Sequence, residues 1–289
     1  MDLKNLKLAV TGSGGFVGSH LVCRLNELGA EVIEIDNKKG LDIRNFEQIS
    51  TLGSFDTLIH LAAKSFVPDS YENPREFYLT NIFGTLNTLE LCRIRKARMI
   101  YASSYSYGVP LYLPIDESHP VRGFNPYSGS KIAGEQLCER YHHDHGADIT
   151  ILRLFNIYGP NQSRKFLIPS IIEQAKKGKV ILKDPTPKRD FIYIDDVIDA
   201  YIKAIRLESN SLNIFNIGSG GSYSVKEIVD EILKNFNQDI KVFFTGEKRA
   251  NEIPDTIADI TKAQEILGWS PAFSLAEGIK NCVAAERNN

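Results

Sequence analysis

The sequence predicts an α/β fold: a doubly wound parallel sheet with a smaller, interleaved C-terminal lobe. Three observations predict it. Short apolar runs alternate with helical periodicity through the first half, a glycine-rich turn joins the first run to the first helix, and the second half is less regular, without a clean linker. Strands that alternate with helices pair in parallel, because each crossover carries a helix over the sheet. Leu6 to Val10 reads as the first strand; Val17, Leu21, Leu25 and Leu28 then fall 4, 4 and 3 positions apart, one face of a helix. AEVIEID (30–36) and TLIHLAA (57–63) read as the next strands. A long helix follows with Leu79, Phe83, Leu86 and Leu89 on one face, a stripe read as core or dimer surface, then the strand RMIYAS (98–103). NPYSGSK (125–131) opens a helix running to about His145, and ITILRLFN (149–156) is again a strand. Beyond it, KFLIPSIIEQAKKG (165–178) reads as a helix, RDFIYIDDVIDAYIKAI (189–205) as a strand and helix, and IFNIGSG (214–220) as a strand with a glycine turn. The larger domain is assigned to residues 1–156 plus about 189–215, the smaller lobe to about 157–188 and 216–289.

With 289 residues, 43% of them hydrophobic and 24% charged, the chain has the composition of an ordinary globular protein with a large core. A formal charge of −2 gives no general attraction to nucleic acid or an anionic membrane. No apolar run approaches the roughly 20 residues a membrane span needs, and MDLKNLKLAV lacks the apolar core of a secretion signal. Cys23, Cys92, Cys138 and Cys282 are scattered without metal or redox spacing, as expected of buried thiols in the cytoplasm. HHDH (142–145) is given no metal: it stands at a helix end, where cationic side chains suit the dipole, and adjacent histidines on a helix diverge. Trp269 reads as a packing anchor.

Between the first strand and first helix, Gly12, Gly15 and Gly18 are spaced G-x-x-G-x-x-G, with Phe16 and Val17 inside the pattern. Positions without side chains let the backbone turn tightly and approach a pyrophosphate, which then rests on the helix N-terminus. The strand–turn–helix context marks this as a dinucleotide site. The second strand ends at Asp36, 18 positions beyond Gly18. An acid there accepts hydrogen bonds from ribose hydroxyls and repels a 2′-phosphate, favouring NAD over NADP. A turn aspartate is the alternative, and Lys38 and Lys39 are placed to greet a phosphate instead. Asp42 and Ile43 follow the next turn and flank the expected adenine, unless Asp42 is a solvated acid.

Tyr127 and Lys131 stand four positions apart, on one face of a helix. Moving a phenol from its usual pKa near 10 to about 7 requires roughly 4 kcal/mol. An ammonium ~4 Å away supplies about that much at an effective dielectric of roughly 20, while burial opposes it. Lys131 is therefore expected to make Tyr127 a proton shuttle near neutral pH.

These residues resemble the extended short-chain dehydrogenase/reductases, the group of nucleotide-sugar epimerases, dehydratases and reductases. The resemblance rests on TGSGGFVG (11–18), HLAA (60–63), Asn81 in NIFGTLNTL, YASSYSYG (101–108), PYSGSK (126–131), RDFIYIDD (189–196) and DITKAQEILGWSP (259–271). It implies a Rossmann domain holding NAD, a nucleotide-diphosphate sugar as substrate, and a homodimer paired through helices around 77–94 and 127–145. By the same resemblance Tyr127 is the catalytic acid/base, and Lys131 its partner on the nicotinamide ribose. Leu61, Ala62 and Ala63 line the cofactor, and Asn81 sits on the helix behind the active site. The family's catalytic serine is Ser103 when counted back from Tyr107-Gly108; a strand alignment to relatives with a longer loop gives Ser104, and Ser103 is preferred. Asn156 and Arg189 match positions that hold the diphosphate, and Arg249 in KRANE resembles the arginine of an R-P-G-D-like segment, with Ala250-Asn251 replacing Pro-Gly.

The family's dehydratases carry Asp-Glu directly after the catalytic Ser/Thr, and its decarboxylases keep the glutamate. Here Ser104-Tyr105 stand there, leaving no general acid for an expelled hydroxyl. Hydride chemistry at C4 of a hexose remains: a 4-epimerase using a transient 4-keto sugar, or an NAD(P)H-dependent reductase of a 4-keto-6-deoxyhexose. Asp36 favours a retained NAD and the epimerase; the short chain and compact PNQSRKFLIPS resemble the reductases. A catalytically silent dinucleotide-binding regulator is the alternative of a different class, opposed by the intact tyrosine, lysine and serine.

Overall fold

The computed structural model describes residues 3–209, 211–248 and 252–288. The first half supplies β1 (Lys7–Thr11), β2 (Glu31–Ile35), β3 (Thr57–His60), β4 (Arg98–Ser104) and β5 (Ile149–Leu154). With Leu212–Ile217 they form a six-stranded sheet in the order Leu212–Ile217, β5, β4, β3, β1, β2, every neighbouring pair parallel. From β1 the chain passes to one side for β2 and to the other for β3. That reversal opens a crevice beyond the C-terminal ends of β1 and β3, where open α/β sheets take their ligands.

Successive strand residues serve opposite faces. Leu8 and Val10 join one core, with Leu21 and Leu25 of α1 (Phe16–Glu27) and most of the Ile194–Arg206 helix. Ala9 joins the other, with Leu89 and Cys138. The long helix expected around Leu79 is broken: Pro74–Tyr78 and Gly84–Arg95 flank a π turn at Leu79–Phe83. Its apolar stripe divides accordingly, Leu89 fully in the core and Phe83 46% exposed.

The helix opened by NPYSGSK spans Pro126–His145. The Asn125 side chain accepts the Ser128 N–H at 2.8 Å, and Ser128 Oγ accepts the Asn125 N–H at 3.2 Å. Proline is tolerated at the first helical position, and Gly146 at φ 65° ends the helix. The start of this helix is thus pinned at the position that presents Tyr127.

Two buried aspartates join segments far apart in the second half of the chain. Asp190 accepts hydrogen bonds from the Ser219 N–H (2.7 Å), Ser219 Oγ (2.8 Å), and the Gly220 and Ala258 N–H groups (3.0 Å each). Asp196 accepts from the Ala272 and Phe273 N–H groups at 2.7 and 3.2 Å, and its carbonyl accepts the Trp269 indole at 3.0 Å. Trp269 is buried, as a packing anchor should be. Among the described residues no helix is long and apolar enough to cross a membrane.

Candidate active site

The cofactor side of the crevice is built from backbone. Gly12 has φ +68°, and a Cβ there would lie 2.8 Å from the N and Cα of Ala62; a Cβ at Gly18 would lie 2.1 Å from the Gly12 carbonyl. Only glycine permits this packing of β1, β3 and α1. Gly15 caps α1 without a side-chain hydrogen bond, so the first-turn N–H groups around Phe16 and Val17 are left for an anion. Leu61 and Ala62, followed by Ala63, donate their N–H groups to Thr11 Oγ1 at 3.1 Å each, closing the wall opposite.

Asp36 projects to this loop, accepting the Gly14 and Lys38 N–H groups at 2.9 Å each. Lys38 Nζ turns back to the Gly14 carbonyl at 3.3 Å, and Lys39 pairs with Glu34 at 2.6 Å. Asp42 is partly exposed, and Arg44 grips its carboxylate at 2.7 and 2.9 Å and holds it below the usual carboxylate range. Ile43 is buried against Gly84, with its carbonyl taken by Asn87.

Asn81 stands behind the helix that carries Tyr127. Its amide donates to Ser130 Oγ (2.8 Å) and the Lys64 carbonyl (3.0 Å) and accepts the Lys64 N–H (2.9 Å). It is a strut between the loop after β3 and the catalytic helix. Sequence reading also passed over His60, which bridges Thr11 Oγ1 (2.7 Å) and Thr85 Oγ1 (3.0 Å). Burial first, then the Lys131 charge, depresses its pKa to about 3, so the ring is neutral.

Lys131 is buried, donating to the Ala102 carbonyl at 2.8 Å with Nζ 5.1 Å above the Tyr101 ring. Burial lowers its pKa to about 8 against the opposing pull of Glu135. Burial raises the Tyr127 phenol, the Ser104 hydroxyl lowers it, and Tyr105 raises it further. The expectation that Lys131 brings the phenol near neutrality therefore fails for this state: the ammonium is committed to β4, and desolvation dominates. The preference for Ser103 fails as well. Ser103 Oγ donates to Glu135 at 2.5 Å, inside a buried pair with Arg153, whereas the next strand residue, Ser104, is the hydroxyl beside Tyr127.

On the substrate side, Asn156 donates to the Asp190 carbonyl and accepts the Tyr105 hydroxyl, both at 2.9 Å. Arg189 pairs with Glu252 and donates to the Lys188 and Ile253 carbonyls at 2.6 Å. Tyr105, noted from the sequence only for lacking a carboxylate, faces both. Arg249 lies outside the described residues.

The model of the NAD dependent epimerase/dehydratase family matches residues 8–218. The chain belongs to that family. A putative UDP-glucose 4-epimerase of Methanocaldococcus jannaschii is 35% identical over 98% of this chain and 99% of that protein. Among solved structures, the Thermotoga maritima UDP-glucose 4-epimerase with UDP-glucose superposes with TM-score 0.92 at 29% identity, covering 98% of this chain and 99% of that one. MoeE5 in complex with UDP-glucuronic acid and NAD gives 0.91 at 28%, with the same coverage. Membership in this epimerase/dehydratase family makes the chain an enzyme.

Two predictions follow from the geometry. Ser104→Ala should lower turnover about 100-fold with thermal stability retained, whereas Ser103→Ala, which takes a donor from the buried Glu135 carboxylate, should cost about 2 kcal/mol of stability and lower turnover far less than Ser104→Ala does; reversed effects in paired kinetic and unfolding measurements would restore Ser103. For Lys131, the folded pKa of about 8 lies below the ordinary 10.5, so between those values the unfolded chain binds more protons and stability rises with pH. Cofactor-free wild type should therefore gain roughly 3 kcal/mol over Lys131→Met from pH 7 to 10.5. Parallel unfolding curves for the two proteins across that range would refute the buried charge.

Proposed function

We propose that the protein is an NAD-dependent nucleotide-sugar 4-epimerase that works through a transient 4-keto hexose. The observation that carries this is Ser104, Tyr127 and Lys131 gathered beside the crevice with no carboxylate among the residues that follow the serine. With Ser104 in the serine role those residues are Tyr105 and Ser106, so the conclusion survives the shift from Ser103. The relatives named UDP-glucose 4-epimerase support it over the reductase reading.

The residues present suit NAD. The uncapped start of α1 suits a pyrophosphate, the close approach at Gly12 leaves the backbone bare, and Asp36 suits ribose hydroxyls and repels a 2′-phosphate. Bound NAD supplies the acceptor and donor of hydride. Tyr127 takes the proton of the C4 hydroxyl as that carbon is oxidised and returns it when the ketone is reduced on its other face. Ser104 holds the C4 oxygen in line with the phenol. Lys131, anchored on β4, keeps positive charge beneath the site and is the side chain assigned to the nicotinamide ribose. Arg189 and Asn156 are assigned to the diphosphate, where a planar guanidinium suits paired phosphate oxygens.

Purified protein should retain NAD through dialysis and interconvert UDP-hexoses without added cofactor. Tyr127→Phe should keep the fold and NAD while turnover falls at least ~100-fold. Strict dependence on added NADH or NADPH, one equivalent oxidised per product, would replace the epimerase with the reductase of a 4-keto-6-deoxy sugar. Binding without turnover across a panel of nucleotide sugars would favour a silent regulator.

The same reading includes a cytoplasmic homodimer. Tyr78, Phe83 and Ile94, 43%, 46% and 51% exposed, give the helices between 74 and 95 an apolar outer surface that supports pairing with a second copy. Sedimentation of protein taken from the cytosolic fraction should show a dimer; a monomer at micromolar concentration, or absence from that fraction, counts against it.

A further inference from the structure

We propose that Tyr105 is a positioning residue that aims Arg189 and Asn156 at the diphosphate of the substrate. The inference rests on the nucleotide-sugar reading above. Tyr105 directly follows Ser104 at the end of β4, and its ring stacks on Phe155 with centroids 4.9 Å apart and planes inclined by 15°. Its N–H donates to the Leu154 carbonyl at 3.2 Å. Stacking on one side and the strand on the other leave the hydroxyl a narrow range of positions, and it donates to Asn156 Oδ1 at 2.9 Å.

A phenol carries one proton, so once that proton is given to Asn156 the oxygen can only accept. The Arg189 guanidinium lies near enough to pull the phenol down against burial. One oxygen atom thus bonds Asn156 and has Arg189 beside it. Each is held from its other side too: Asn156 Nδ2 by the Asp190 carbonyl, Arg189 by the Lys188 and Ile253 carbonyls and the Glu252 carboxylate. Tyr105 is the group that fixes them relative to each other, one residue from the catalytic hydroxyl.

The chemical type of this group matters. Burial raises the Tyr105 phenol, so it stays neutral at physiological pH. Arg189 already carries one carboxylate partner in Glu252; a second in the place of Tyr105 would compete with the diphosphate, whereas the neutral phenol adds no charge.

Tyr105→Phe keeps the ring on Phe155 and removes only the bridging oxygen. Uridine diphosphate and UDP-glucose are titrated calorimetrically into wild type and variant, with steady-state kinetics and NAD content measured on the same preparations. Both ligands should bind the variant about tenfold more weakly, the scale of one hydrogen bond in a charged network. KM should rise by the same factor, with kcat within about twofold and NAD content unchanged. Equal weakening of the two ligands places the effect on the uridine diphosphate they share and away from the hexose that only one of them carries. Unchanged binding of uridine diphosphate by the variant overturns the inference, as does a fall in kcat with KM unchanged. Joint loss of NAD and thermal stability also overturns it, because that is what a purely structural role would give. A wild type that binds neither ligand sinks the nucleotide-sugar reading together with this inference; a wild type that binds both beside an indifferent variant sinks this inference alone.

Discussion

The active site depends on the buried pair between Glu135 and Arg153. Their side chains are only 5% and 6% exposed, and Arg153 holds the carboxylate through Nε and Nη2, the closer contact 2.7 Å. Removing two charges from water costs several kcal/mol each, and mutual attraction offsets that only when the remaining donors and acceptors are also satisfied. Here they are: Ser103 donates to Glu135, while Arg153 Nη1 donates to the Tyr107 hydroxyl and the Glu117 carbonyl at 3.0 Å each. Burial alone would lower the Arg153 pKa, yet Glu135 and Tyr107 outweigh it and hold the guanidinium above its ordinary value. Ser103 and Arg153 are register partners on β4 and β5, and Glu135 stands four residues beyond Lys131. The pair therefore fixes the catalytic helix along the strands, which sets where Lys131 meets Ala102 and where Tyr127 meets Ser104.

A second set of hydrogen bonds fixes the back wall, and its proton directions can be followed. Thr11 Oγ1 accepts the Leu61 and Ala62 N–H groups, so its own proton goes to His60 Nδ1. Thr85 Oγ1 donates to the Asn81 carbonyl at 2.6 Å, so it accepts from His60 Nε2–H. That is one neutral tautomer, in keeping with a pKa near 3. The Asn81 side chain continues the line to Ser130, which donates to the Tyr127 carbonyl at 2.7 Å. The glycine loop and the catalytic helix are joined through neutral groups, which is economical beside Lys131, because a second buried cation would lower the lysine further.

The sheet was legible because its strands and helices carry their own periodicities, and the glycine loop because tight turning is a local demand. Tyr127 and Lys131 were legible because helical spacing is local too. What the sequence hid was facing and partnership. Ser103 and Ser104 are chemically identical neighbours, and only the placement of Glu135, 32 residues away, shows which hydroxyl is already committed. The Arg44 grip on Asp42, and the bonds of Asn81 to Lys64 and Ser130, 17 and 49 positions away, are likewise partnerships that no local spacing announces. The π turn at Leu79–Phe83 has no residue signature comparable to a glycine or proline. Asp190 and Asp196 find their donors from 29 to 77 positions along the chain, beyond any periodicity.

These constraints bear on which reactions the site excludes. Elimination of water needs an acid to protonate the leaving hydroxyl and a base for the adjacent carbon, and the residues after Ser104 supply neither. Tyr105 is held neutral by burial, and its single proton is engaged by Asn156. Glu135 is the nearest carboxylate on the catalytic helix, but Ser103 and Arg153 consume it on the far side of Lys131. Beside one another at the site stand the Tyr127 phenol and the Ser104 hydroxyl, with Lys131 one helical turn on. Such a set can move a proton on and off a single oxygen while a hydride leaves and returns at the carbon that bears it. Burial, partly offset by Ser104, holds the Tyr127 phenol above its ordinary range. On the proposed epimerase reading, chemistry is confined to one carbinol, because neither Tyr105 nor Ser106 after Ser104 is an acid that could expel a neighbouring hydroxyl.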